Sequence, residues 1–117
     1  MLKGAKGAAE RLGLNVVLYR SFPPGTTNFS PILVELKVKA PDALIVGAHL
    51  ATAQIFSKQL ADAWVYVKLV SINTVTIPDY YGALGVLAEG IIAPSEWEPG
   101  VKYKHDFGPS REEFYIA

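Results

Sequence analysis

The chain has 117 residues, half of them hydrophobic and 19% charged, which fits one folded domain with a real core and excludes a disordered chain. Eleven basic residues balance eleven acidic ones, so no basic surplus points to nucleic acid or to an anionic membrane. Cysteine is absent, which removes disulfides, thiol catalysis and cysteine metal sites. No apolar run approaches the ~18–20 residues of a membrane span. Met1-Leu2-Lys3 leads directly into a polar, Gly/Ala-rich stretch with no secretory leader pattern, so the chain as written is expected to stay in the cytoplasm.

Residues 2–12 read as a short helix with Leu2, Ala5, Ala9 and Leu12 on one face, closed by Gly13 at the left-handed C-cap position. Asn15-Val16-Val17-Leu18-Tyr19 is rich in β-branched residues and predicts a strand. A helix, a glycine stop and a strand make an αβ unit without a leading strand. Phe22-Pro23-Pro24-Gly25 is a loop. Ser30 and Pro31 then have the chemistry of an N-cap and a first helical residue, and the helix runs to Pro41. Asn28-Phe29-Ser30 also matches a glycosylation sequon, but capping is the preferred reading.

Residues 41–73 are the centre of the pattern. Ala43-Leu44-Ile45-Val46 is a solid apolar run, residues 51–64 have helical spacing, and residues 67–72 form a second apolar run. Strand, helix, strand implies parallel pairing, with strands buried on both faces. Pro78 and Asp79 open a short helix, with Asp79 expected to cap it, and Ile91-Ile92-Ala93 gives a last strand. Residues 1–94 are therefore read as an α/β lobe with a three-layer parallel sheet. Residues 95–117 are read as an irregular tail, in which Ser110 and Glu113 have capping-box spacing and start a helix that the sequence leaves one turn long. Both ends read as cut relative to this architecture.

No catalytic constellation stands out. Gly4 and Gly7 precede a strand rather than follow one, so the dinucleotide fingerprint fails, and Gly-x-Ser-x-Gly is absent. His49 and His105 lack partners at metal spacing, so no metal and no cofactor is expected. Asp42 reads as a turn residue, and Glu96 and Glu98 as solvated loop carboxylates. Tyr80, Tyr81 and Trp97 either line a cleft or pack beneath a helix, the second being preferred. In parallel sheets ligands sit beyond the carboxyl ends of the strands. That makes His49, Leu50, Ala51, Thr52, Asn73 and Thr74 the candidate ligand-binding residues. The helix N-terminus at Ala51-Thr52 offers N–H groups to a carboxylate, while Asn73 and Thr74 offer donors and acceptors. Local backbone satisfaction by Thr52 and Thr74 is the competing reading.

Asn28-Phe29-Ser30-Pro31-Ile32-Leu33 followed by Ala40-Pro41-Asp42-Ala43-Leu44-Ile45-Val46-Gly47 resembles the type I periplasmic binding proteins. These are the solute receptors of ABC transporters for branched-chain amino acids and amides. The likeness continues through Ile55-Phe56-Ser57-Lys58-Gln59-Leu60, Leu84-Gly85, Ala88-Glu89-Gly90, Trp97-Glu98-Pro99-Gly100 and Phe107-Gly108-Pro109-Ser110, in the same order. It implies the second of two lobes that close on a ligand outside the cytoplasmic membrane, entered after that lobe's first strand. It also implies ligand contacts at His49-Leu50 and Asn73, where such receptors often carry an aromatic and a carboxylate; His49 and Asn73 depart from that pattern. The lost strand would lie between residues 15–19 and residues 43–46, so the gap is expected to close by direct pairing or to be filled by another chain, making the protein a homo-oligomer. The alternative is a free-standing cytosolic module whose main property is self-association. Neither reading makes it an enzyme.

Overall fold

The computed structural model describes residues 2–95 together with Gly108, Ser110 and Glu113. The elements in order are α1 (Leu2–Arg11), α2 (Ser30–Lys39), β1 (Ala43–Val46), α3 (Leu50–Asp62), β2 (Leu69–Ile72), α4 (Pro78–Leu84), a 3-10 turn (Gly85–Ala88) and β3 (Ile91–Ile92). The three strands form one parallel sheet in the order β1-β2-β3. The α/β class and the parallel sheet expected for residues 41–73 are thus present.

In a parallel ladder, paired residues point to the same face and successive residues to opposite faces. Leu44 pairs with Val70, Val46 with Ile72 and Val70 with Ile91, so these five share one face. That face carries the core. Val46 and Ile72 are buried there with Phe29, Leu33 and Leu36 of the α2 region, Ala53, Phe56 and Leu60 of α3, and Tyr80 of α4. Phe29 stands edge-on to both Phe22 and Phe56, at ring separations of 5.1 and 5.2 Å.

The opposite face differs from expectation. Ala43, Ile45, Leu69, Ser71 and Ile92 share it by register, yet Ile45 is 55% exposed, Leu69 46% and Ile92 50%. The strands are not buried on both sides, although α1 reaches this face. It does so where Leu2 lies against Gly47: a Cβ on that glycine would come within 3.2 Å of the leucine side chain. The third layer therefore exists, but thinly, since α1 buries no residue completely.

Residues 15–19 are a correction. They belong to no strand, and no described segment pairs with them. The gap has not closed by direct pairing because the segment is fixed at both ends. At its start, α1 closes with Leu14 N–H on Ala9 O and Gly13 N–H on Glu10 O, with Gly13 at φ 76°. This is a Schellman cap, which sets the exit direction of the chain. At its end, the Arg20 guanidinium grips both oxygens of Glu35 on α2, at 3.1 and 2.7 Å, and Phe22 packs on Phe29. Leu12, expected on the buried face of α1, is 76% exposed because it already belongs to the turn.

Smaller differences are local. Ser30 is the first residue of α2 and not its cap; its N–H is accepted by Asn28 Oδ1 at 3.0 Å. Gln59 of α3 completes this entrance by accepting from Phe29 N–H and donating to Thr27 O. Asp79 sits in the first turn of α4, after Ile77 as N-cap, and makes no cap bond. β2 begins at Leu69 rather than at residue 67. The capping box is present: Ser110 N–H donates to Glu113 Oε2 and Glu113 N–H to Ser110 Oγ, at 2.7 and 3.3 Å. Glu96, Trp97, Glu98 and His105 lie outside the described residues.

Candidate functional site

The carboxyl ends of β1 and β2 lie side by side, because the two strands are in register from Ala43↔Leu69 to Val46↔Ile72. The chain leaves β1 through Gly47, Ala48 and His49 into α3, and leaves β2 through a turn that starts at Asn73. Three hydrogen bonds join these exits. Asn73 N–H donates to Val46 O at 3.3 Å, Ala48 N–H donates to Asn73 Oδ1 at 2.9 Å, and Thr74 Oγ1 donates to Ala48 O at 3.1 Å. The side chains of Asn73 and Thr74 thus extend the β1–β2 ladder past the last strand residue.

Thr74 is not a free ligand group, and its backbone partner is not a local one: it bonds to Ala48, 26 residues away, across the paired strand ends. Asn73 commits its Oδ1 to Ala48, which leaves its amide N–H groups as the part able to meet a ligand. Thr52 lies in the first turn of α3 and is partly buried. His49 is the N-cap residue in extended conformation, its carbonyl accepting from Ala53 N–H at 2.8 Å, and its side chain makes no cap bond. The imidazole is exposed at the mouth, as is Ala51, while Leu50 packs partly against the core. The N–H groups of Leu50, Ala51 and Thr52 precede the first intrahelical donor, so they point out of the helix end toward the exit of β1.

All six predicted residues therefore gather at one end of the sheet, in two roles. Asn73 and Thr74 hold the two exits together; His49, Ala51 and the first α3 N–H groups offer the open surface. The arrangement can receive a carboxylate or another polar acceptor on one side. It supplies no nucleophile–base pair, and among the described residues no group of three or more His, Asp or Glu side chains is placed to hold a metal.

Tyr80 packs beneath its helix, as preferred. It is 1% exposed, and its hydroxyl meets Ser57 Oγ at 2.5 Å. Burial pushes the Tyr80 phenol above its ordinary pKa, while the Ser57 hydrogen bond pulls it back in part. Tyr81 on the same helix is 57% exposed. The Ser57–Tyr80 pair was not anticipated; the helical spacing of Phe56 and Leu60 beside Ser57 was its only sequence signal. Asp42 is exposed and meets Lys68 at 2.7 Å, which lowers the Asp42 carboxyl below its usual range.

Comparison with known proteins gives one informative likeness. The chain is 26% identical over 87 residues to the Leu/Ile/Val-binding protein homolog 3 of Brucella melitensis biotype 1. The matched part is 74% of this chain and 24% of that protein, so the chain spans about a quarter of the relative's length. No family model and no solved structure matches. The relative's name describes a protein that binds leucine, isoleucine and valine; the described residues of this chain form a small α/β unit around a three-stranded parallel sheet. Among the described residues no helix is long and apolar enough to cross a membrane.

Proposed function

We propose that this chain is the second lobe of a solute receptor of an ABC transporter, for branched-chain amino acids or related small amides, and that it carries at most half of the ligand cleft. It works by binding and not by catalysis. The observation that carries this reading is the joined exit of β1 and β2. The clasp by Asn73 and Thr74 holds the open N-terminus of α3 in place, and His49, Leu50, Ala51 and Thr52 surround it. The likeness to a Leu/Ile/Val-binding protein homolog supplies the ligand class.

A single wall buries only part of a small ligand, whereas tight sites enclose most of it. The expected affinity for leucine, isoleucine or valine is therefore weak, on the order of millimolar. The test is an amide chemical-shift titration of the full chain with leucine, up to about 10 mM. Shifts confined to residues 47–52 and 73–74 support the proposal; no shift there, or shifts centred elsewhere, rejects it.

The self-association reading has its own support in the exposed aromatics Trp64, at 91%, and Tyr66, at 84%. Light scattering over a dilution series tests it, a monodisperse monomer at dilute concentration rejecting self-association, while the leucine titration separates the two readings: shifts at residues 47–52 and 73–74 support a retained site.

A further inference from the structure

The mouth formed by the exits of β1 and β2 has a polarity, and Asn73 sets it. Ala48 N–H is a donor, so the atom of the Asn73 amide that meets it at 2.9 Å has to be the oxygen. This fixes the orientation of the amide. The hydrogen bonds of Asn73 run from its backbone N–H to Val46 O and to its Oδ1 from Ala48, and none uses Nδ2. Among the described residues no buried side-chain nitrogen or oxygen lacks a partner, so Nδ2 is open to solvent and to a ligand.

The oxygens that join the exits are already engaged. Val46 O accepts from Asn73 N–H, Ala48 O from Thr74 Oγ1, and His49 O from Ala53 N–H. Residues 47–52 and 73–77 contain no Asp or Glu. The imidazole of His49 and the hydroxyls of Thr52 and Thr76 can donate or accept, so they follow a ligand rather than choose it. The uncommitted groups of fixed sense are Asn73 Nδ2 and the N–H groups that open α3, and all of them are donors.

An ammonium also brings only donors. Against this wall it would lose water without gaining a counter-charge, which costs affinity. A carboxylate or carbonyl oxygen finds its donors in place. We propose that Asn73 determines the ligand class at this wall: by giving its oxygen to Ala48 it selects an oxygen of the ligand and turns away an amine. The inference rests on reading the strand exits as one wall of a ligand site, and it narrows that reading. The ligand meets this wall through a carboxylate or carboxamide oxygen. An α-ammonium takes no part in the contact, so short branched carboxylates and carboxamides bind here as well as the amino acids do.

The experiment divides leucine into its parts. Leucine, 4-methylpentanoate, which lacks the ammonium, and 3-methylbutylamine, which lacks the carboxylate, are each titrated into the full chain and followed by NMR, the Asn73 side-chain amide included. 4-Methylpentanoate shifts residues 47–52 and 73–74 with a Kd within about threefold of leucine's, and 3-methylbutylamine binds at least about tenfold more weakly than either. Asn73→Asp keeps an oxygen for Ala48 N–H and replaces the open donor by a carboxylate oxygen. Exchange at Ala48 N–H stays slow in this variant, and the order of the ligands inverts, the amine now binding more tightly than the carboxylate. An amine that matches the carboxylate in the parent overturns the inference and leaves the receptor reading standing, since a site is then present with the other polarity. An unchanged order in Asn73→Asp overturns the role of Asn73. Silence from all three ligands at residues 47–52 and 73–74 rejects the receptor reading and this inference with it. The comparison in the parent chain decides the ligand class by itself, whatever the stability of the variant.

Discussion

The two faces of the sheet have nearly the same composition and opposite fates. One presents Leu44, Val46, Val70, Ile72 and Ile91, and is sealed by α2, α3 and α4. The other presents Ala43, Ile45, Leu69, Ser71 and Ile92, and is left largely to solvent with α1 resting at one corner. Apolar character in a strand therefore states that burial is wanted, not that it is achieved. Burial requires a covering element with its own reason to be there. α3 has one, since the β1–α3–β2 connection returns it over the sheet, and α4 follows directly. α1 has only a Schellman turn and a leucine.

The widest test of this contrast uses one strand. Ile72→Ala, on the sealed face with the side chain 0% exposed, is expected to cost about 2–5 kcal/mol in denaturant unfolding. Leu69→Ala, on the open face at 46% exposure, is expected to cost about 1 kcal/mol or less. Equal losses would mean that the open face is covered in solution. Next in size is the clasp at the strand ends. Asn73→Ala leaves the Ala48 N–H without its partner and is expected to cost about 1–2 kcal/mol, and the leucine-induced shifts should disappear.

Tyr80→Phe probes the sealed face by its one buried polar pair and is expected to cost about 1 kcal/mol near neutral pH. It also has a pH signature. The folded-state pKa of Tyr80 lies above its ordinary value, so the neutral phenol is favoured in the folded protein. That contribution is complete below the ordinary tyrosine pKa and is lost as pH rises through the folded value. Stability should fall with rising alkaline pH in the parent, and less steeply in Tyr80→Phe.

A gain of about 1 kcal/mol is expected from Trp64→Gly. Trp64 occupies at the end of α3 the cap position that Gly13 occupies at the end of α1. Its N–H donates to Ala61 O, Val65 N–H donates to Leu60 O, and its φ is 54°. A tryptophan in that conformation, 91% exposed, is strained without a packing return. The smallest effect belongs to the exposed Asp42–Lys68 pair. Lys68→Met should move the Asp42 carboxyl back up toward its ordinary value, read by NMR titration, with no resolvable change in unfolding midpoint.

Much of the site was legible before the structure, because strand ends and helix starts are written locally. Pro41-Asp42, the apolar run and Gly47 place His49 at the mouth of α3 without any knowledge of packing. The division of labour between Asn73 and Thr74 was not legible. It depends on Ala48, which is 25 residues away from Asn73 and meets it only once β1 and β2 lie in register. The cap of α2 was misread by one residue for a related reason. The N-cap position is Phe29, which has no capping side chain; Asn28 Oδ1 accepts from Ser30 N–H, and Gln59, on another helix, holds Phe29 and Thr27 in place.

The sequence by itself determined the order of elements from α2 to β3, the parallel sense of β1 and β2, the glycine stop of α1 and the capping box at Ser110 and Glu113. Each rests on hydrogen bonds or periodicity within a few residues, and such interactions survive any arrangement of the rest. Only the tertiary structure decided that residues 15–19 join no strand of the sheet and that one sheet face is sealed and the other open. Those outcomes depend on pairings between distant parts of the chain, where Arg20 finds Glu35 and Phe22 finds Phe29, and no local pattern specifies which distant partner arrives.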